Sequence, residues 1–124
     1  MDDKLKELRD QLIVIFRTTG KDWMGFNINE KNHLTFHHIK KKEQGGEDSI
    51  DNGALLTTKG HTTLHWLEIH NPDLFCEWNA IFRTINEDKK PINGQMWGII
   101  GALNKETRQF RGNLYLKGRT KPRK

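Results

Sequence analysis

Leu5, Leu8, Leu12, Ile15 and Phe16 recur at three- and four-residue spacing, the period of one helix face. They predict an amphipathic helix over about residues 3–17, capped by Asp2 or Asp3 and closed near Gly20. Trp23, Met24, Phe26 and Ile28 follow without a clear period and read as cover for the core. Leu34-Thr-Phe-His-His-Ile39 reads as a short strand between polar Asn32-His33 and a lysine run. Gly45-Gly46, Asp48, Ser49, Asp51 and Asn52 make residues 40–53 a loop. Ala54-Leu-Leu-Thr57 suits a returning strand.

A helical pattern resumes from about Lys59 to His70, with Leu64 and Leu67 apolar, and Asn71-Pro72 ends it. Pro72 suits the first turn of a further helix, in which Phe75, Trp78, Phe82 and Ile85 form an apolar stripe. Residues 86–94 read as a polar linker. A last helix is expected over about 95–104, weakened by Gly98 and Gly101. Asn113 to Lys117 reads as a short strand or extended arm.

A chain of 124 residues suits a single domain spanning 1–124. Its 34% hydrophobic content supports one compact core but not a large cavity for a bulky cofactor. Cys76 is the only cysteine, which excludes an intrachain disulfide and a thiolate zinc cluster. No apolar run approaches the ~20 residues that span a bilayer, and the start lacks the basic-then-apolar order of a secretory signal. A cytoplasmic protein without membrane attachment is the resulting expectation. The net charge of +5 is uneven: residues 105–124 hold eight Lys/Arg against the single acid Glu106. A basic arm of this kind attracts polyanions, and Arg119, Lys121, Arg123 and Lys124 are its candidates for phosphate contact; the alternative is a solubilising tail.

The histidines carry the chemistry. His37 and His38 are neighbours on a strand, so their side chains face opposite ways. His61 and His65 are four apart on a helix and share a face. Such a pair is a bidentate grip for a transition metal, and His37 is placed to add a third nitrogen, leaving coordination positions open for substrate.

The order of these residues is similar to that of a known family. An adjacent His-His at the end of a strand, Asn52 fourteen residues after His38, and His-x-x-x-His opening a helix resemble the ββα-metal (His-Me finger) core of HNH (His-Asn-His) endonucleases. The spacing is especially like that of colicin nuclease domains, and the Gly-Gly followed by Asn and Leu-Leu is typical of phage and prophage members. The resemblance covers about residues 34–70. It implies an α+β fold with helices flanking the ββα core, and phosphodiester hydrolysis in DNA with one divalent metal ion. His37, His61 and His65 match metal ligands, His38 the general base, and Asn52 the residue that pins the loop and orients that base. A phage or mobile-element origin also follows by analogy. The sequence departs from many members in lacking flanking Cys-x-x-Cys pairs, so the Phe75/Trp78/Phe82/Ile85 helix is expected to replace that brace.

Elementary chemistry agrees with these roles. A neutral imidazole with an ordinary pKa near ~6.5 takes a proton from water at neutral pH. A divalent ion neutralises the phosphate and the leaving oxygen. Three imidazoles favour Zn, Ni, Co or Mn over Mg.

Lys40, Lys41 and Lys42 follow the histidine pair and are further candidates for phosphate contact, against a reading as a solvated loop. His33 reads as a surface residue, His70 as a helix-end cation, Glu68 and Glu77 as surface charges. Cys76 reads as a small buried hydrophobe, and Trp66 and Trp97 as core. Two other function classes fit the pattern: a non-catalytic nucleic-acid-binding module retaining the ββα shape, and a metal-stabilised protein-interaction domain.

Overall fold

The computed structural model describes residues 2–120, with side chains as far as Leu114. Helix α1 (Asp3–Phe16) starts where the Asp2 carboxylate accepts from the Leu5 amide, and ends at Arg17 in the left-handed region. The stop therefore comes three residues before Gly20. A loop leads to β1 (Leu34–His38), then two short 3-10 turns (Lys42–Gln44 and Ile50–Asn52), then β2 (Gly53–Thr57). Helices α2 (Thr58–His70), α3 (Pro72–Asp88) and α4 (Gly94–Thr120) complete the chain. The two strands pair antiparallel, from Leu34 opposite Thr57 to His38 opposite Gly53. The class is α+β: a ββα unit flanked by helices.

Burial of apolar faces holds the unit together. Leu8, Leu12 and Phe16 of α1 meet Phe36, Leu55 and Leu56 of the hairpin, Leu64 and Leu67 of α2, and Trp78, Phe82 and Ile85 of α3. Every residue of β2 is buried, because α1, α2 and α3 all pack against it. The expected aromatic stripe on α3 does brace the hairpin. Asn86 strengthens that brace by donating to the carbonyls of Ile50 and Gly53.

Asp22 ties the loop before β1 to the end of β2. Its carboxylate is fully buried and accepts from the amides of Met24 and Phe26 and from both the amide and hydroxyl of Thr57. Thr57 in turn caps α2 by accepting from the Gly60 amide. Gly60 is required there: a Cβ would stand 2.5 Å from an Asp22 oxygen.

The C-terminal region differs from the sequence expectation. Instead of a short helix followed by a strand or extended arm at 113–117, a single helix of 27 residues runs from Gly94 to Thr120. Gly98 and Gly101 lie on its open side, with no neighbour among the described residues. They cost propensity of about 1 kcal/mol each, against which Ile100, Leu103 and Thr107 are buried on the other side. Thr107 accepts from the Trp78 indole and donates to Leu103, pinning α4 to α3. The linker is correspondingly shorter, since α3 continues to Asp88. Cys76 is exposed, contrary to its reading as a buried hydrophobe. Trp66 and Trp97 are partly buried against the core, and His33 is exposed. Among the described residues no helix is long and apolar enough to cross a membrane.

Candidate active site

Strand alternation sends the two neighbouring histidines into different surroundings. His37 is buried at 5% exposure, and its Nε2 lies 3.0 Å from Asn79 Oδ1 on α3. An amide oxygen only accepts, so Nε2 carries the proton and Nδ1 is the bare nitrogen. Burial lowers the His37 pKa to about 3, opposed by the Asn79 contact and assisted by the other histidines. Burial thus favours the neutral ring.

His61 on α2 meets the His37 ring edge-on, 5.2 Å between centroids. The Thr35 hydroxyl donates its one hydrogen to the Leu56 carbonyl at 2.8 Å, and its oxygen lies 3.0 Å from His61 Nδ1. Nδ1–H therefore donates to Thr35, which leaves Nε2 bare. Burial, then the nearby His65 and His38, lower the His61 pKa to about 4. One turn on, His65 stacks on His61 with 5.0 Å between centroids, and its Nδ1 is 3.5 Å from Glu68 Oε1.

His38 faces the other way, toward the loop. Its Nε2 lies 2.6 Å from Asp48 Oδ1, while Lys42 Nζ reaches the second Asp48 oxygen at 3.2 Å. The His38 contact first, and Lys42 second, hold the Asp48 carboxyl below the usual carboxylate range. An ionised Asp48 accepts, so Nε2 holds the His38 proton and Nδ1 is free to take one.

The loop that delivers Asp48 is closed by Asn52. Its side-chain oxygen accepts from the Lys40 amide at 2.8 Å, and its amide donates to the carbonyls of Lys40 and Glu47 at 2.9 and 3.0 Å. Its backbone carbonyl accepts from Ile39 N. Gly46 passes so close to the Lys40 carbonyl that a Cβ would overlap it. Asn52 thus pins the loop, while the side chain in contact with His38 is that of Asp48.

The four histidine rings, Lys41, Lys42 and Glu68 line a cleft of about 400 Å³ with Phe75 in its wall. Its donor chemistry suits a divalent metal: His37 and His61 are each held in a tautomer that leaves one nitrogen bare, and burial keeps both unprotonated. Convergence is not complete. Among the described residues no three His, Cys, Asp or Glu side chains stand together as a metal-holding group, and His65 is turned toward Glu68.

Residues 25–66 match the family model of the HNH endonuclease. That segment is similar to an HNH core. No curated protein and no solved structure matches the chain. The HNH match contains His37, His38, Asn52, His61 and His65, and ends before Asn79, which α3 supplies from outside it.

The remaining candidates are placed unevenly around the cleft. Lys40 is exposed, but Lys41 is paired with Glu68 and Lys42 with Asp48. Glu68 is accordingly a wall of the cleft, not a free surface charge. His70 packs against Trp66, 4.5 Å between ring centroids. Arg119 falls within α4, whereas Lys121, Arg123 and Lys124 lie outside the described residues. Thr35, Asp48 and Asn79 were not among the sequence candidates. Thr35 shares a strand face with His37, and Asn79 interrupts the apolar stripe of α3. Both are signals of period, not of motif.

Proposed function

We propose that the 124-residue chain works as one domain that hydrolyses phosphodiester bonds of nucleic acid, double-stranded DNA ahead of RNA, in the histidine cleft. The observation that carries this reading is the division of labour across β1. His38 is held by Asp48 through Nε2, leaving Nδ1 free of that contact, beside two imidazoles that each keep a nitrogen bare.

In this reading His38 accepts a proton from the attacking water at Nδ1, and Asp48 stabilises the imidazolium that forms. His37 through Nδ1 and His61 through Nε2, joined by His65 once it turns from Glu68, would hold one divalent ion. When bound, that ion supplies counter-charge for the phosphate and the leaving oxygen. Thr35 and Asn79 fix the two ligand tautomers, and Asn52 keeps the loop that presents Asp48. Lys40 is exposed two residues after His38, and an exposed ammonium there would meet phosphate oxygens.

Nicking of supercoiled plasmid with added Mn²⁺ or Ni²⁺, abolished by EDTA and by His38→Ala, is the expected result. Wild-type protein that binds DNA but leaves it intact with every divalent ion tried would reduce the chain to a non-catalytic binding module. The incomplete convergence of the three ligand histidines is the observation that favours that second reading.

A further inference from the structure

Helix α2 has a second polar wall. Thr58, Lys59, Thr62 and Thr63 line a shallow groove of about 900 Å³ whose far side is α4, with Arg108 and Arg111, and whose end is the loop carrying Lys31. Among the described residues, no aspartate or glutamate lines this groove, and Lys31, Lys59, Arg108 and Arg111 make no ion pair. The contrast with the histidine cleft is sharp, because there Lys41 and Lys42 are already neutralised by Glu68 and Asp48.

Three of the four groove cations are held in place by neutral partners. Lys59 Nζ sits over the Phe26 ring at 5.3 Å, and the Arg111 guanidinium over Trp66 at 5.0 Å. Arg108 Nε donates to Asn104 Oδ1 at 2.9 Å. These partners orient the charges without cancelling them, so little side-chain freedom is given up when an anion binds. The floor is also fixed. Asn32 accepts from the Thr58 hydroxyl and the Lys59 amide and donates to the Asn27 carbonyl, and Asn104 donates to the Met24 carbonyl.

We propose that this groove is a second binding site for the sugar-phosphate backbone, continuous across α2 with the histidine cleft. The occupant is nucleic acid flanking the scissile bond, so the inference rests on the nuclease reading above. A strand in the cleft reaches the groove by crossing α2, whose residues line both. Exposed cations with Asn and Thr donors between them are the usual makers of backbone contacts, which position a duplex without reading its sequence.

The test is the salt dependence of binding to a short fluorescein-labelled DNA duplex in EDTA, followed by anisotropy. Lys59→Gln/Arg108→Gln/Arg111→Gln should make the slope of log K against log salt shallower by roughly 2 to 3, at about 0.9 for each phosphate no longer neutralised. An equal charge change elsewhere, Lys4→Gln/Lys6→Gln/Lys90→Gln, should leave the slope unchanged. Arg108→Gln alone, which removes only the hydrogen bond to Asn104, should take away about one unit and covers the case of a poorly folded triple variant. A groove variant with the wild-type slope, or a control variant whose slope falls as far, overturns the groove while leaving the nuclease reading intact. Failure of the unaltered chain to bind or cut DNA removes the nuclease reading and the groove with it.

Discussion

Two aspartates bracket the hairpin, and their surroundings differ in every respect that matters. Asp22 serves its open end, where Leu34 pairs with Thr57, and Asp48 its loop end, where His38 pairs with Gly53. Asp22 is fully buried, and all of its partners are uncharged: three backbone amides and a hydroxyl. Burial raises its pKa in spite of those four bonds. Asp48 has 19% of its side chain exposed, and its partners are an imidazole and an ammonium, which lower its pKa. A carboxylate surrounded by fixed neutral donors is a clamp. One paired with an imidazole at a cleft edge is an instrument for holding and moving a proton.

The largest effect expected at the loop end concerns the partner of Asp48. His38→Ala should lower the rate of plasmid nicking by ~10²–10⁴, about 3–5 kcal/mol of barrier, the usual worth of a general base. Calorimetry should find divalent-metal affinity nearly unchanged, since His38 is engaged by Asp48 through Nε2 while His37 and His61 keep the bare nitrogens. Loss of metal as severe as in His61→Ala would put His38 among the ligands and erase the distinction.

At the open end the matching change acts on stability. Asp22→Ala strands the Thr57, Met24 and Phe26 amides without an acceptor. The cost of breaking such a buried network is about 3–5 kcal/mol, and urea denaturation would measure it. Fully folded variant protein would then bind metal normally. A loss under 1 kcal/mol would mean that water replaces the carboxylate and that the clamp is dispensable.

The two ends also differ in how far the sequence reveals them. Spacing alone places His37, His38, His61 and His65 on the hairpin and α2, because local period determines which neighbours share a face; Asn52 stands out only through the family resemblance. Asp22 and Asp48 are both loop aspartates in sequence, and nothing local separates them. Their roles depend on which distant chain covers each: Thr57 over Asp22, and the partly exposed edge beside His38 for Asp48. Asn79 illustrates an intermediate case. It stands at i+4 from Phe75 and i−3 from Phe82, inside an apolar stripe, so its burial is readable but its partner His37 is not. The C-terminal helix is hidden for the opposite reason. Gly98, Gly101 and Gly112 lower its propensity locally, and only packing of Ile100, Leu103 and Thr107 on the core, with Thr107 bonded to Trp78, explains a helix through Thr120.

Acid should separate the interior histidines from the rest. The folded-state pKa values of His37 and His61 are lowered to about 3 and about 4 from an ordinary 6.5. Below pH 6.5 the unfolded chain takes up protons that the folded chain refuses. Stability is therefore complete above about pH 7 and falls as pH drops toward 4, by about 1.4 kcal/mol per pH unit for one fully buried histidine and less for the partly exposed His61. Urea midpoints between pH 7.5 and 5 report the slope, and His37→Gln should flatten it. Stabilisation by added Ni²⁺ should also shrink over the same range, because ligation needs neutral rings. A metal-induced shift that is the same at pH 7.5 and pH 5 would count against histidine ligands.

The smallest expected effect is the one that most directly opposes the two aspartates. Asp48 does not touch the reacting atoms; it positions the His38 ring through Nε2. Asp48→Ala should therefore slow nicking by roughly ten- to hundred-fold, as removal of a ring-orienting partner commonly does, and by less than His38→Ala. Asp48→Asn keeps an acceptor for Nε2–H and loses only the charge, so it should recover part of that rate. Neither change should lower the urea midpoint as Asp22→Ala does, because an exposed edge lets water replace the missing partner. The split also belongs in kcat, with the salt slope of DNA binding unaltered. Two outcomes would join the aspartates into one structural class: a midpoint for Asp48→Ala as low as that of Asp22→Ala, or an Asp48→Asn variant no faster than the alanine form.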